Sequence, residues 1–338
     1  MQDHKGILII SLDFELNWGL RDSVKIEAYK ENILGARTAI PKILDLFEKY
    51  GIHATWAVVG FLFAQNKTEL YEFLPKKKPE YSNYAFSPYP YLKNIGNDEC
   101  EDPLHYAPSL IKKIRAVPGQ EIGSHTFSHY YCMEDGQTAE CFVDDLASAK
   151  KIAESRGVSL ESLVFPRNQS REDYLEVCRE LGLKCYRGNE KNRSYESSRK
   201  NRFALMKRAY RLADSYVNLS GHNCYNLNEL EKFPVLNLPS SKFLRPYNRK
   251  LRFFESLKIM RITDSLDYAA KTGAIYHLWW HPHNFGKNID KNLEMLERIL
   301  KHYEKLKAQG LMESLNMRET ADATKQQPQE KQAHNKSL

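Results

Sequence analysis

The run Gly6-Ile7-Leu8-Ile9-Ile10-Ser11-Leu12 constrains the fold more than any other stretch. Its apolar residues are consecutive rather than alternating, so a strand built from it must be covered on both faces. Such a strand belongs in the middle of a parallel sheet with helices on either side. The next segments keep to that architecture. Residues 29–50 carry an amphipathic helical pattern and stop at Gly51, a residue suited to the left-handed position after a helix. Residues 53–60 then read as a second strand. Strand, helix and strand in that order predict parallel pairing through a right-handed crossover.

Further along, strands are expected in the run ending at Gly123, at 163–165, 184–186, 235–241 and 274–281. Helices are expected at 138–156, from a Ser170 cap to Leu181, at 252–271 closed by Gly273, and at 290–309. Residues 191–202 are polar and read as a loop. Residues 75–108 break the pattern with prolines, tyrosines and polar side chains, and read as a surface insertion near the mouth of a site. Its aromatics Tyr81, Tyr84, Phe86, Tyr89 and Tyr91 either stack on sugar rings or pack locally. With no linker between the alternating elements, residues 1–323 form one α/β domain closed as a barrel or distorted barrel, and 324–338 form a disordered polar tail.

Composition excludes some functions. No apolar run reaches the roughly 18–20 residues of a membrane span, and a secretory leader is not expected. The six cysteines form no CxxC pair, which fits free thiols in a reducing cytoplasm. The net charge of +7 gathers at Lys76-Lys77-Lys78, 193–211 and 245–261. Either these runs are a solvated surface, or they draw the protein to an anionic partner such as a phosphorylated or lipid-linked sugar at a membrane surface. No nucleic-acid recognition module is visible, so nucleic acid is not expected as a partner.

The chemistry concentrates at strand ends. Asp13 and Glu15 follow the first strand at alternate positions and would project together. His125 and His129 stand four residues apart, on one face if the chain turns helical there, and could share a divalent metal. Carboxylates alone would also suit a magnesium–nucleotide complex or a glycosidase acid and base. Two imidazoles plus a carboxylate favour a hydrolytic zinc-type set instead. A second pair, His277 and His281, has the same spacing. Four strand residues span about 13 Å, so His277 reads as a core residue while His281 and His283 sit at a functional strand end.

Asp-x-acid after the first strand, Ser124-His125-Thr126-Phe127-Ser128-His129 in mid-chain and a late strand ending in His281-Pro282-His283 together resemble a polysaccharide deacetylase. This is the NodB-homology group, carbohydrate esterase family 4, and the likeness runs from about residue 6 to 320. It is nearest to the intracellular branch associated with surface-polysaccharide and lipopolysaccharide biosynthesis. The resemblance implies a distorted (β/α) barrel with a divalent metal, usually zinc (iron, nickel or cobalt in some members), at the strand C-termini. It implies Glu15, His125 and His129 as metal ligands, Asp13 as general base, His281 as general acid and Arg167 as the residue orienting the base. The substrate implied is an N-acetylated sugar or a lipid-linked or nucleotide-linked glycan precursor, deacetylated in the cytoplasm. The sequence departs from the pattern in three places: Glu15 replaces the usual aspartate, Phe165-Pro166-Arg167-Asn168 lacks the Pro-Tyr-Gly ending, and the Asp–Trp motif has no counterpart. Rival readings are a hydrolase of another small C–N bond, a non-catalytic carbohydrate-binding relative, and a magnesium-dependent nucleotide-sugar transferase.

Overall fold

A computed structural model of the chain describes residues 5–190 and 204–326. The expected loop at 191–202 and residues 327–338 of the expected tail at 324–338 lie outside the described residues, while 324–326, expected to be disordered, form the end of a helix. In chain order the elements are β1 (Gly6–Phe14), α1 (Ile26–Tyr50), β2 (Ala54–Val58), α2 (Lys67–Glu72), α3 (Pro108–Ala116), β3 (Gln120–Ser124), α4 (Ala139–Glu154), β4 (Ser162–Val164), α5 (Glu172–Glu180) and β5 (Cys185–Arg187). They continue with α6 (Ala204–Ala213), β6 (Leu236–Asn237), β7 (Lys242–Phe243), α7 (Glu255–Thr272), β8 (Ile275–Trp280), α8 (Ile289–Ala308), β9 (Met312–Ser314) and α9 (Met317–Gln326).

The strands form one sheet in the order β6-β5-β4-β3-β2-β1-β8-β7, with β9 also pairing β1. Every ladder between these strands is parallel. The two ends of that order, β6 and β7, are neighbours in sequence. Residues 236–244 bond first to β5, through Leu238 N to Tyr186 O, and then to β8, through Ser241 N to His277 O. One segment thus changes partners and joins the two edges, curling the sheet into a distorted (β/α) barrel. β1 is buried along its whole length, as its unbroken apolar run requires.

Most expected elements appear, with shifted ends. Gly51 and Gly273 take left-handed conformations after α1 and α7, as helix-closing glycines do. Two expectations fail. Ser170 does not cap α5, which begins one residue after Arg171 and has no side-chain cap. Residues 249–254 form a tight 3₁₀ turn, so α7 begins only at Glu255. No helix among the described residues is long and apolar enough to cross a membrane.

The 75–108 insertion packs inward. Tyr81 and Phe86 lie against Tyr131, Tyr89 against Phe61, and Tyr91 against Trp18. Only Tyr84, 86% exposed, remains free of such packing. Four of the five aromatics thus make local packing contacts. The insertion also holds the loop after β1: Asn17 N bonds Leu104 O, and Trp18 Nε1 donates to His105 O at 2.9 Å.

Candidate active site at the strand C-termini

Parallel strands end together, and their ends bring distant residues to one level. Asp13 is in register with Ala57, and Ala57 with Gly123, so His125 emerges just beyond Asp13. Val164 pairs with Arg187 at the end of β5, and Leu12 pairs with Trp280 just before His281. Function at the C-terminal rim of such a sheet is the general pattern.

Glu15, His125 and His129 converge there. Their ligating atoms all lie within 4.8 Å of one another, and all three residues are buried. Glu15 Oε2 is 3.1 Å from His129 Nε2 and 3.3 Å from His125 Nε2. The route by which the histidines meet differs from the one expected. Residues 125–129 are not helical; they form a loop in which Thr126 and His129 adopt positive φ values of 62° and 58°. Non-glycine residues take that conformation only where the surroundings enforce it. Here Asp145 of α4 does so, accepting from Phe127 N at 2.7 Å and from the Ser128 hydroxyl. Gly60 N binds Thr126 O from the other side, and Thr126 Oγ1 accepts from Tyr130 N. Burial raises the Asp145 pKa to about 6 despite these donors.

The donor set fits a divalent cation. His125 Nδ1 donates to the Val164 carbonyl at 2.8 Å, which leaves its Nε2 lone pair facing Glu15 with no hydrogen-bond donor. A histidine held through one nitrogen with the other free is the usual arrangement of a metal ligand. His129 Nδ1 is also buried without a partner. Burial pushes the Glu15 carboxyl up, but the neighbouring His281, His125 and His129 outweigh it and hold it well below the usual carboxylate range. Burial lowers His129. An ionised carboxylate beside neutral imidazoles is the state a cation requires.

Asp13 stands next to this cluster, and its partner corrects the sequence reading. Arg167 does not touch Asp13. It takes a positive φ of 55°, pairs with Asp22, and lies over the Tyr131 ring at 4.1 Å. The arginine on Asp13 is Arg187 at the end of β5, with Nη1 and Nη2 2.6 and 2.7 Å from the two carboxylate oxygens. The fork is buried and fixed further by Ser11 Oγ, Asn168 Oδ1 and the Trp279 ring. Bidentate pairing of this kind sets both charge and orientation. Burial raises the Asp13 carboxyl, but Arg187 first, then His281 and His125, leave it below its ordinary value. The signal for Arg187 was present in the sequence: it directly follows an expected strand, as Asp13 does, and His281 ends one.

His281 closes the constellation, its Nε2 3.7 Å from Asp13 Oδ2 and 3.6 Å from Glu15 Oε1. Its side chain is 24% exposed, against 5% or less for Asp13, Glu15, His125 and His129, so the site opens on the His281 side. In place of an Asp–Trp pair, Trp279, Phe243 and a stacked His283 surround its ring. His277 points away, into the core: its Nε2 is 2.8 Å from Ser11 Oγ and its Nδ1 3.2 Å from Leu238 O.

Residues 33–186 match the family described as polysaccharide deacetylase. That segment contains His125 and His129 but not Asp13, Glu15, Arg187 or His281. A search of curated proteins finds no match. Among solved structures, a protein from Mycobacterium smegmatis assigned as a polysaccharide deacetylase is 13% identical, with a TM-score of 0.60 over 96% of this chain and 92% of its own. One from Pseudomonas aeruginosa with the same assignment is 13% identical, with a TM-score of 0.54 over 94% and 91%. The allantoinase PuuE is equally similar, at 13% identity and a TM-score of 0.54 over 95% and 91%. These likenesses show a shared barrel.

Proposed function

We propose that this chain is a metal-dependent deacetylase that removes the N-acetyl group from a sugar or from a lipid-linked or nucleotide-linked glycan precursor. The observation that carries the reading is one buried cluster: Glu15, His125 and His129 as a cation-binding set, with Asp13 on Arg187 and His281 both beside it. The metal we propose is zinc, with iron, nickel or cobalt as substitutes of similar ligand preference. Bound there, it would polarise the acetyl carbonyl and acidify the attacking water.

The chain's own groups handle the protons. Asp13, kept ionised by Arg187, accepts a proton from water as the oxygen bonds to the carbonyl carbon. His281, in its protonated form, gives a proton to the nitrogen as the C–N bond breaks. Acetate and a free amino sugar leave. An amide nitrogen departs poorly as an anion, so the proton donor is required, and His281 is suitably placed at the open side. Arg167, far from Asp13, instead braces the mouth by joining Asp22 to the Tyr131 and Phe86 rings.

A role in surface-polysaccharide or lipopolysaccharide biosynthesis, carried out in the cytoplasm, is part of this proposal. The biosynthetic role rests on the resemblance, and the cytoplasmic setting on six cysteines without a CxxC pair, all free, as a reducing compartment leaves them.

The test is metal content by plasma mass spectrometry, combined with acetate release from N-acetylated sugars with and without chelator. About one metal per chain and chelator-sensitive acetate release are expected. Absence of metal after reconstitution would replace this reading with a non-catalytic sugar-binding one. Turnover of allantoin but of no acetylated sugar would move the substrate to another C–N bond.

A further inference from the structure

The described surface carries an apolar patch that the deacetylase chemistry does not use. In the 3₁₀ turn and the first turns of α7, Phe253 is 79% and Phe254 51% exposed, and Leu257 and Met260 are exposed beside them. Residues 253, 257 and 260 recur at helical spacing, so they share a face. Arg249, Lys250 and Arg252 surround them and are themselves exposed. Between 245 and 262 the sequence has six basic residues and one acid, Glu255, which is already paired with Lys258 at 2.7 Å. A second apolar rim adjoins: Tyr216 meets the Phe254 ring at 6.4 Å, and Val217 and Leu219 next to it are exposed.

The patch lies at the same end of the barrel as the active site. The chain leaves the C-terminal end of β7 at Phe243 to reach it, and α7 then runs back to start β8, which is parallel to β7. Side chains trace the path: His281 lies 6.1 Å from the Phe243 ring, and the Arg245 guanidinium 6.0 Å from that ring on its way to the patch.

We infer that residues 249–260 dock this protein onto an anionic lipid bilayer, setting the mouth of the active site at the membrane surface. Aromatic and aliphatic side chains within a rim of cations match the headgroup–acyl boundary, where the rings insert and the cations meet lipid phosphates. This deepens the functional reading by locating the substrate: a glycan precursor anchored in lipid would reach His281 from the surface on which the protein sits. The docking itself does not depend on turnover.

The full-length, metal-loaded protein is to be sedimented with phosphatidylcholine vesicles, with and without phosphatidylglycerol. Binding is expected only with the anionic lipid and should weaken as salt is raised. Each basic residue near such a surface is worth about fivefold in partition. Arg249→Gln/Lys250→Gln/Arg252→Gln should therefore lower it about a hundredfold. Phe253→Ser/Phe254→Ser should lower it at least tenfold, and Phe253→Ser alone, at a side chain mostly in solvent, guards against a folding artefact. Metal content should be unchanged in all three variants. Binding that ignores phosphatidylglycerol, or that survives in every variant, would overturn the proposal. Anionic-lipid binding by a protein without metal would instead leave the docking standing and remove the deacetylase reading.

Discussion

Two stretches of this chain place histidines four residues apart, and the structure uses them in opposite ways. His125 and His129 converge, with ring centroids 5.1 Å apart and both rings turned to Glu15. His277 and His281 diverge: one is locked in the core against Ser11 and the other stands at the mouth of the site. The backbone makes the difference. An extended strand carries the second pair roughly 13 Å apart, whereas the positive φ of Thr126 folds the first pair back on itself. Equal spacing therefore gives two candidate ligands in one stretch, and a core residue plus a catalytic candidate in the other.

Removing one member of each pair tests the contrast most severely. His125→Ala or His129→Ala should reduce bound metal from about one per chain to none and abolish acetate release, because two remaining donors make a poor site. His277→Ala should keep its metal, since that ring faces away from Glu15. Equal metal loss in both variants, measured by plasma mass spectrometry, would erase the distinction.

Next in size is the clamp that bends the first pair. Asp145→Ala would strand the buried Phe127 N–H and the Ser128 hydroxyl, at a cost of about 3 kcal/mol. Thermal unfolding should show that loss, and metal affinity should fall with it because the loop would be free to relax. Asp145→Asn, which keeps an acceptor, should lose less of both.

Legibility in the sequence divides along the same line. The unbroken apolar run at 6–12 specified a buried parallel strand, and strand ends pointed to Asp13, Glu15 and His281, because these signals are local. Arg187 escaped because its partner Asp13 is 174 residues away, and motif order drew attention to Arg167 instead. The left-handed turn at Thr126 and His129 contains no glycine to announce it, and Asp145, its cause, looks like any helical carboxylate. The closing segment 236–244 was visible as a strand with a turn, but not as one strand serving two edges.

A smaller effect separates the pairs by acidity. Burial, aided by the Arg187 charge, lowers the His277 pKa to about 3, against roughly 6.5 in an unfolded chain. The unfolded state therefore takes up the proton first. The stability this histidine contributes is complete above pH about 6.5 and is lost progressively as pH falls toward about 3. From pH 7 to 5 the loss is about 2 kcal/mol for one such group. His283, also lowered to about 3 by burial, adds a loss of the same sign. Denaturant midpoints at the two pH values should show His277→Asn losing about 2 kcal/mol less than the wild type across that interval. An identical slope would mean His277 is not neutral in the core.

The smallest predicted effect concerns the carboxylate that the converging pair shares. Glu15 is one methylene longer than the aspartate usual in the resembling family, and the extra length needs space. Gly19 provides it: a Cβ built there would fall 2.0 Å from Glu15 Cδ and 2.2 Å from both carboxylate oxygens. The clash is with the far end of a flexible side chain, so Gly19→Ala should leave the fold intact and push the carboxylate away from His125 and His129. Metal affinity, read by competition with a chromogenic chelator, should weaken about tenfold, the lower end for groups that orient a ligand. Shortening the ligand should remove the conflict. Gly19→Ala/Glu15→Asp should therefore bind metal more tightly than Gly19→Ala alone, a reversal that a general loss of stability could not produce. If the double variant is instead the weaker of the two, Glu15 does not reach the histidines through the space beside Gly19, and its length is not what that glycine accommodates.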